Sequence, residues 1–323
     1  VDGLDSQKPS VTIGRFRAPQ REAFTLVEVL VVIGIISVLI ALALPALQRA
    51  RESARRIACV SRLKQLAIAF HNYHDVHRCL PPGSQVADFR IQPYSKSFGW
   101  TIMLLPQMDQ QVIYNRFDFD GDAQSVAHRP LTMTIVSSFV CPSDAKGGEL
   151  VMGSVGGSSG LLAPNNYFGV SGTNALYFAR SAAECLDWDT QGLFPAIQNG
   201  VLFGNSSTRL SDITDGASNT LLIGERGIED GFGRWGGPGE FYQCPWGLAD
   251  VVLPGTLRNR DFVGGIRIRD GSLHDRYSWW TFHSGGANFG CADGSVQFRS
   301  THLDAAVLSA MSTRAGGESF LPE

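Results

Sequence analysis

Val29 to Leu47, VLVVIGIISVLIALALPAL, is a run of nineteen residues without a charge, and it limits what the chain can fold into more than any other feature. Such a run meets the length criterion for a membrane-spanning helix. As an α-helix, Phe24 to Leu47 rises about 36 Å, enough to cross the hydrocarbon of a bilayer. A buried core helix is the alternative, but helices of this length that are apolar on every side are uncommon inside globular domains. A secretory signal would be shorter and end at a small-residue cleavage site. Here the run passes through Pro45 into Gln48-Arg49-Ala50-Arg51-Glu52, and the next cysteine is Cys59, so neither signal cleavage nor lipidation is expected. The span is expected to stay with the mature protein.

The remainder of the chain can bury a core. With 323 residues, 44% apolar and 18% charged, it has the length of one large or two modest domains, and disorder is excluded as its main description. A net charge of −3 and the lack of a long lysine-arginine stripe leave no electrostatic footprint for nucleic acid. Charge is unevenly spread: residues 1–77 carry 10 basic and 6 acidic side chains, residues 78–323 carry 17 and 24. The positive-inside rule does not orient the span, because Lys8, Arg15, Arg17 and Arg21 precede it while Arg49, Arg51, Arg55, Arg56, Arg62 and Lys64 follow it.

The segment Arg21-Glu22-Ala23-Phe24-Thr25-Leu26-Val27-Glu28-Val29-Leu30 supplies the orientation, because it resembles a prepilin-type cleavage and methylation signal. The resemblance implies a cytoplasmic leader at residues 1–23 and a cut by prepilin peptidase between Ala23 and Phe24. Methylation of the new amino terminus would follow. Ala23 stands where that family usually has glycine, the mildest departure available. A carboxylate in an apolar span costs up to about 3 kcal/mol at the bilayer centre and less near the interface, so Glu28 needs a partner. In pilins and pseudopilins the corresponding glutamate meets the terminal amine of a neighbouring subunit, and low dielectric strengthens that pairing. Snorkelling to the headgroups is the simpler alternative. Pro45 lies where many pilins carry a helix-kinking proline.

Beyond Pro45 the helix is predicted to continue. Val60, Leu63, Leu66, Ala67, Phe70 and Tyr73 recur at helical spacing, and the helix ends near His77, before Pro81-Pro82-Gly83. The basic residues from Arg49 to Lys64 read most simply as solvated surface, with anionic headgroups or acidic neighbours as the alternative. After residue 83, short apolar stretches alternate with glycine, asparagine, serine and aspartate, which favours antiparallel strands and long loops. Trp100 to Tyr114 is predicted helical, Gly147 to Gly160 a loop, and Leu303 to Met311 a short helix. Asn288 to Arg299 reads as a hairpin closed by Asp293-Gly294 in a type I′ turn.

Several stretches together resemble one bacterial family of unknown function that joins a prepilin-type amino terminus to a large extracytoplasmic domain. They are Leu63-Lys64-Gln65-Leu66 through His71-Asn72-Tyr73-His74-Asp75, Cys141-Pro142-Ser143-Asp144, Asn166-Tyr167, Ile213 through Thr220 with Gly224-Glu225, and a terminal H-x9-D-G in which His283 precedes Asp293-Gly294.

Other constellations have plainer readings. His71, His74, Asp75, His77 and Cys79 carry zinc-ligand chemistry, but contact with the helix C-terminal dipole accounts for them more simply. Asp118, Asp120 and Asp122 alternate as in a calcium loop; Arg129 occupies the position of the bidentate glutamate, which excludes an EF-hand and leaves calcium there a weak candidate. Gly156-Gly157-Ser158-Ser159-Gly160 fits the nucleophile motif of serine hydrolases, with Asp215 and His283 in the right order, yet it lacks the flanking strand and helix. His283 and Asp293 as an acid-base pair, or a histidine bonding across the hairpin base, are the remaining readings. Six cysteines, Cys59, Cys79, Cys141, Cys185, Cys244 and Cys291, permit disulfides in an oxidising compartment, with pairing left open.

The expectation is therefore an α+β protein with a pilin-like long amino-terminal helix packed on a mainly antiparallel, loop-rich body. Its segments are a leader at 1–23, a transmembrane helix at 24–47, an amphipathic extension at 48–77 and an extracytoplasmic domain at 78–323. The expected role is that of a non-enzymatic, single-pass inner-membrane subunit of a type II secretion or type IV pilus-like fibre. Its expected partners are prepilin peptidase, the membrane and other pilin-like subunits or itself; no nucleic acid and no cofactor are expected. A membrane-tethered module that binds glycans or secreted substrates is the alternative, and a serine hydrolase the remote one.

Overall fold

The structure, a computed structural model, describes residues 25–85, 98–121, 126–144, 147–155, 158–173, 199–228, 252–253, 258–259, 262–263, 279 and 281–317. Contacts divide the chain into two units, Val1–Ala50 and Arg51–Glu323. The first helix, α1, spans Leu26–His77.

A reciprocal capping box starts α1. The Glu28 N–H donates to Thr25 Oγ1 at 3.3 Å, while Glu28 Oε2 accepts from the Thr25 N–H at 2.8 Å and its hydroxyl at 2.7 Å. These bonds satisfy amides that a helix start leaves without an internal partner. The helix passes through Pro45, which can donate no backbone bond there. Every described residue of the first unit is exposed, including Leu26 at 76% and Leu42 at 72%. This helix is long and apolar enough to cross a membrane.

In the second unit, Cys59, Leu63, Leu66, Ala67 and Phe70 form one buried stripe along α1. Leu63, Leu66 and Phe70 enter a core with Trp100, Phe139, Tyr167 and Leu222; the Phe70 and Trp100 rings lie 5.1 Å apart. Full burial of each such aliphatic or aromatic side chain contributes on the order of 2 kcal/mol. Val60 and Tyr73, predicted for the same stripe, are half-buried at its flanks. The helix ends at His77; Arg78 turns left-handed at φ 61° and its N–H bonds the His74 carbonyl at 2.7 Å.

Strand β1 (Ser84–Gln85) pairs with β2 (Phe98–Gly99). The single helix predicted over Trp100–Tyr114 is instead three pieces: α2 (Trp100–Met103), a 3₁₀ turn (Leu105–Met108) and α3 (Gln111–Tyr114). Pro106 cannot bond back to Ile102, and Asp109 adopts φ 58°, so the α-helical ladder cannot run through. Arg129 opens α4 (Arg129–Thr132). The predicted Gly147–Gly160 loop is corrected to a hairpin of β3 (Val151–Val155) and β4 (Ser158–Leu162), in which Val155 faces Ser158. Apolar residues flank the glycines of this stretch on both sides in the sequence and favour pairing; Gly156 and Gly157 lie outside the described residues.

The main sheet has the order β11-β10-β6-β5-β7, with β5 (Tyr167–Val170), β6 (Leu221–Glu225), β7 (Val252–Leu253), β10 (Gly286–Cys291) and β11 (Val296–Ser300). Its first four strands are antiparallel and β7 joins β5 in parallel; β8 (Arg258–Asn259) and β9 (Phe262–Val263) form a separate pair. Gly224 in β6 is required by packing, since a methyl group there would meet the Trp279 ring at 2.4 Å. Helix α5 (Ala305–Met311) is capped by Asp304, which accepts from the Ala306 N–H at 2.7 Å.

The β10–β11 hairpin forms as expected but not through a type I′ turn. Gly294 takes φ 83° while Asp293 stays at negative φ. The Gly294 N–H bonds the Cys291 carbonyl at 3.0 Å, and the Cys291 N–H bonds the Ser295 carbonyl at 2.8 Å. A three-residue loop ending in a left-handed glycine has this pattern. The α+β architecture is as read from the sequence: a long apolar-to-amphipathic helix with a mainly antiparallel sheet.

Candidate functional site

The site lies wholly within the second unit. Glu52 and Cys59 come from α1, Cys141 from the chain after the Ser137–Phe139 turn, Glu225 from the end of β6, and His283 from the segment leading into β10. Cys59 and Cys141 form a disulfide across 82 residues. His283 Nδ1 lies 2.8 Å from Glu52 Oε1, its Nε2 lies 3.1 Å from Glu225 Oε1, and Cys141 Sγ is 3.6 Å from the same nitrogen. The imidazole and the Glu225 carboxylate are each 1% exposed and Glu52 is 35% exposed, so the cluster opens toward solvent at Glu52.

Surrounding bonds hold these groups in place. Asn288 donates to Glu225 Oε2 through its side-chain amide at 2.7 Å and its backbone N–H at 3.3 Å. Ser143 donates its hydroxyl to Glu52 at 3.2 Å, and Arg55 pairs with Glu52 at 3.1 Å. Asn166 accepts from the Cys141 N–H at 2.7 Å and donates to Asp144 at 2.7 Å and to the Arg226 carbonyl at 2.9 Å. The Arg62 guanidinium donates to the Val140 carbonyl, and Arg56 lies 3.8 Å over the Phe298 ring. Two of the arginines read as solvated surface, Arg56 and Arg62, therefore have partners within the body.

Burial by itself would lower the basicity of His283, but hydrogen bonds and charge from Glu225 and Glu52 outweigh it and raise its pKa above 6.5. Glu52 is pushed up by burial, then brought below 4.5 by its bond and charge contact with His283, aided by Ser143 and Arg55. Both shifts favour the protonated imidazole over the neutral one.

Of the residues singled out in the sequence, His283 is brought to this cluster, but not beside Asp293 as an acid-base pair. Asp293 Oδ1 accepts from the Ser295 N–H at 2.8 Å and shapes the hairpin loop. Gly294 rests on α1: a methyl group there would lie 3.6 Å from His71 Nε2 and 3.9 Å from the Ala67 Cβ. The H-x9-D-G spacing therefore has a geometric reading. Strand β10 covers about 20 Å and Glu52 to Ala67 rises about 22 Å along α1, so both ends of the segment grip the same helix about four turns apart.

The other candidates are not brought together. Glu28 closes the capping box, and Ala23, Phe24 and Asp122 lie outside the described residues. Asp118 Oδ1 accepts from the Asp120 N–H at 3.0 Å as a turn carboxylate. Among the described residues, the helix-end group His71, His74, Asp75, His77 and Cys79 forms no cluster of three ligating atoms; the rings of Tyr73 and His77 stack at 4.1 Å. Ser158 sits in a hairpin strand rather than on a strand-to-helix turn, and Asp215 accepts from the N–H groups of Gly316 and Gly317 at 2.6 and 3.0 Å. Cys79 and Cys291 are free thiols. Sequence reasoning missed Glu52 and the convergence of Glu225, Cys59 and Cys141; the available signal was that Cys141-Pro142-Ser143-Asp144, Asn166-Tyr167 and Gly224-Glu225 all carried one family resemblance.

The apolar amino-terminal helix and the α+β body define a class, that of pilin- or pseudopilin-like prepilin-type proteins, and residues 19–44 match the prokaryotic N-terminal methylation motif. Residues 48–306 match the family described as protein of unknown function (DUF1559), and the chain belongs to that family. No curated protein and no solved structure matches it.

Proposed function

We propose that the protein is a membrane-anchored structural subunit, not an enzyme, cut by prepilin peptidase between Ala23 and Phe24 and assembled with other pilin-like subunits or copies of itself into a type II secretion or type IV pilus-like fibre. The observation that carries this reading is the methylation motif at residues 19–44, which overlaps an apolar helical stretch whose described residues up to Ala50 are all exposed. In this reading residues 1–23 are cytoplasmic, residues 24–47 span the inner membrane, and the extension at 48–77 with the body at 78–323 is extracytoplasmic. The Cys59–Cys141 disulfide favours an oxidising compartment for the body.

Amino-terminal sequencing and mass spectrometry of the membrane-purified chain test the processing step. A methylated phenylalanine start is the expected result, and an intact Ala23–Phe24 bond overturns it. Cysteines placed along 29–44 test assembly, since a fibre yields regular helix-to-helix cross-link ladders whereas a tethered, non-polymerising module does not.

A further inference from the structure

One ligating atom from each of Cys59, Cys141, Glu225 and His283 lies within 4.8 Å of the other three, and all four residues are buried. We propose that, with the two cysteines reduced, this cluster is a zinc site: the two thiolates, His283 Nε2 and Glu225 Oε1 are its ligands, and Glu52 is a positioning residue that orients the histidine.

Three features support it. First, the spacings suit a tetrahedral ion. Zn–S of about 2.3 Å and Zn–N of about 2.0–2.1 Å place sulfur and nitrogen about 3.6 Å apart and two light ligand atoms about 3.3 Å apart. Cys141 Sγ to His283 Nε2 is 3.6 Å, and Nε2 to Glu225 Oε1 is 3.1 Å. The sulfurs, bonded here, need part only to about 3.8 Å. Second, the outer shell is the one a metal-binding histidine and carboxylate require. Glu52 Oε1 holds Nδ1 at 2.8 Å, which directs the Nε2 lone pair into the cluster. Asn288 occupies Glu225 Oε2 and leaves Oε1 facing inward. Third, the histidine needs a cation on that side: a neutral imidazole carries one ring proton, yet His283 has a carboxylate at each nitrogen. In the disulfide form a proton fills this need, and in the dithiol form the metal takes its place.

The two forms are exclusive. Zinc binding to the dithiol displaces the two thiol protons and the Nε2 proton. Oxidation takes two electrons from the thiolates, joins Cys59 Sγ to Cys141 Sγ and releases the ion, while a disulfide acceptor takes the electrons with two protons from solvent to become its dithiol and His283 Nε2 takes up a third proton.

The test uses the full chain in non-ionic detergent, reduced with a phosphine, with Co²⁺ as the probe. The expected result is one cobalt per chain with a thiolate-to-cobalt charge-transfer band and tetrahedral d–d bands. Zinc should displace the cobalt, a disulfide acceptor should release it, and Cys141→Ser, which removes one of the two thiolates, should weaken the band. Glu52→Gln should weaken binding by about 10–100-fold while keeping the spectrum. Far-UV circular dichroism checks that each variant is folded. The proposal is overturned if the reduced, folded chain binds no cobalt, if Cys141→Ser leaves the band unchanged, or if the disulfide can be reduced only by unfolding the body.

Discussion

His283, held between Glu225 and Glu52, makes a contribution to stability that depends on pH. Its folded pKa is raised, so the stability it contributes is fully present below its ordinary value of 6.5 and is lost as pH rises through the folded value. Glu52 has a lowered folded pKa, so its contribution is present above 4.5 and is lost as pH falls. The thermal midpoint of the disulfide-bonded chain should therefore be highest between about pH 4.5 and 6.5 and decline on the alkaline side. His283→Gln should remove that alkaline decline and lower stability by about 3 kcal/mol, because it breaks a buried charge pair. A urea midpoint that does not move in this variant would remove the structural role given to the histidine. The residue itself was visible in the sequence, as was its spacing from Asp293. Its partners were not, since they stand 231 and 58 positions away and no local pattern links them.

At the scale of elements, the second half of α1 is both core helix and site wall. Its stripe of Leu63, Leu66, Ala67 and Phe70 was legible because helical periodicity is a local property of the chain. The disulfide from this helix to Cys141 closes a separation of 82 residues. Chain entropy assigns such a link about 4.5 kcal/mol, so Cys59→Ser should lower stability by about 2–5 kcal/mol in chemical denaturation. Gly224→Ala drives a methyl group into the Trp279 and Phe289 rings and should cost about 1–3 kcal/mol by the same measurement. Where element prediction failed, local rules competed. Trp100–Tyr114 has helical spacing that Pro106 and left-handed Asp109 interrupt, and the glycine-rich stretch after Gly147 pairs as a hairpin because its flanks supply the partners.

For the whole molecule, two roles of Glu28 must be separated, since it caps α1 and is also the proposed assembly charge. Glu28→Ala should leave membrane insertion intact and impair assembly. Thr25→Ala, which removes the cap but keeps the carboxylate, should retain assembly; equal loss in both would assign the effect to the helix start, where a cap is worth about 1 kcal/mol. Sedimentation or cross-linking of membrane extracts separates these outcomes. The apolar rod, the extent of α1 and the α+β class were determined by the sequence itself, because each depends on composition or periodicity within a few turns of chain, and the processing motif was legible as a short contiguous segment that resembles a prepilin-type signal. The meeting of Glu52, Cys59, Cys141, Glu225 and His283 was decided only by the tertiary structure: a helix, a loop, two strand ends and a disulfide converge there, and contacts between residues far apart in the chain leave no periodic trace in it.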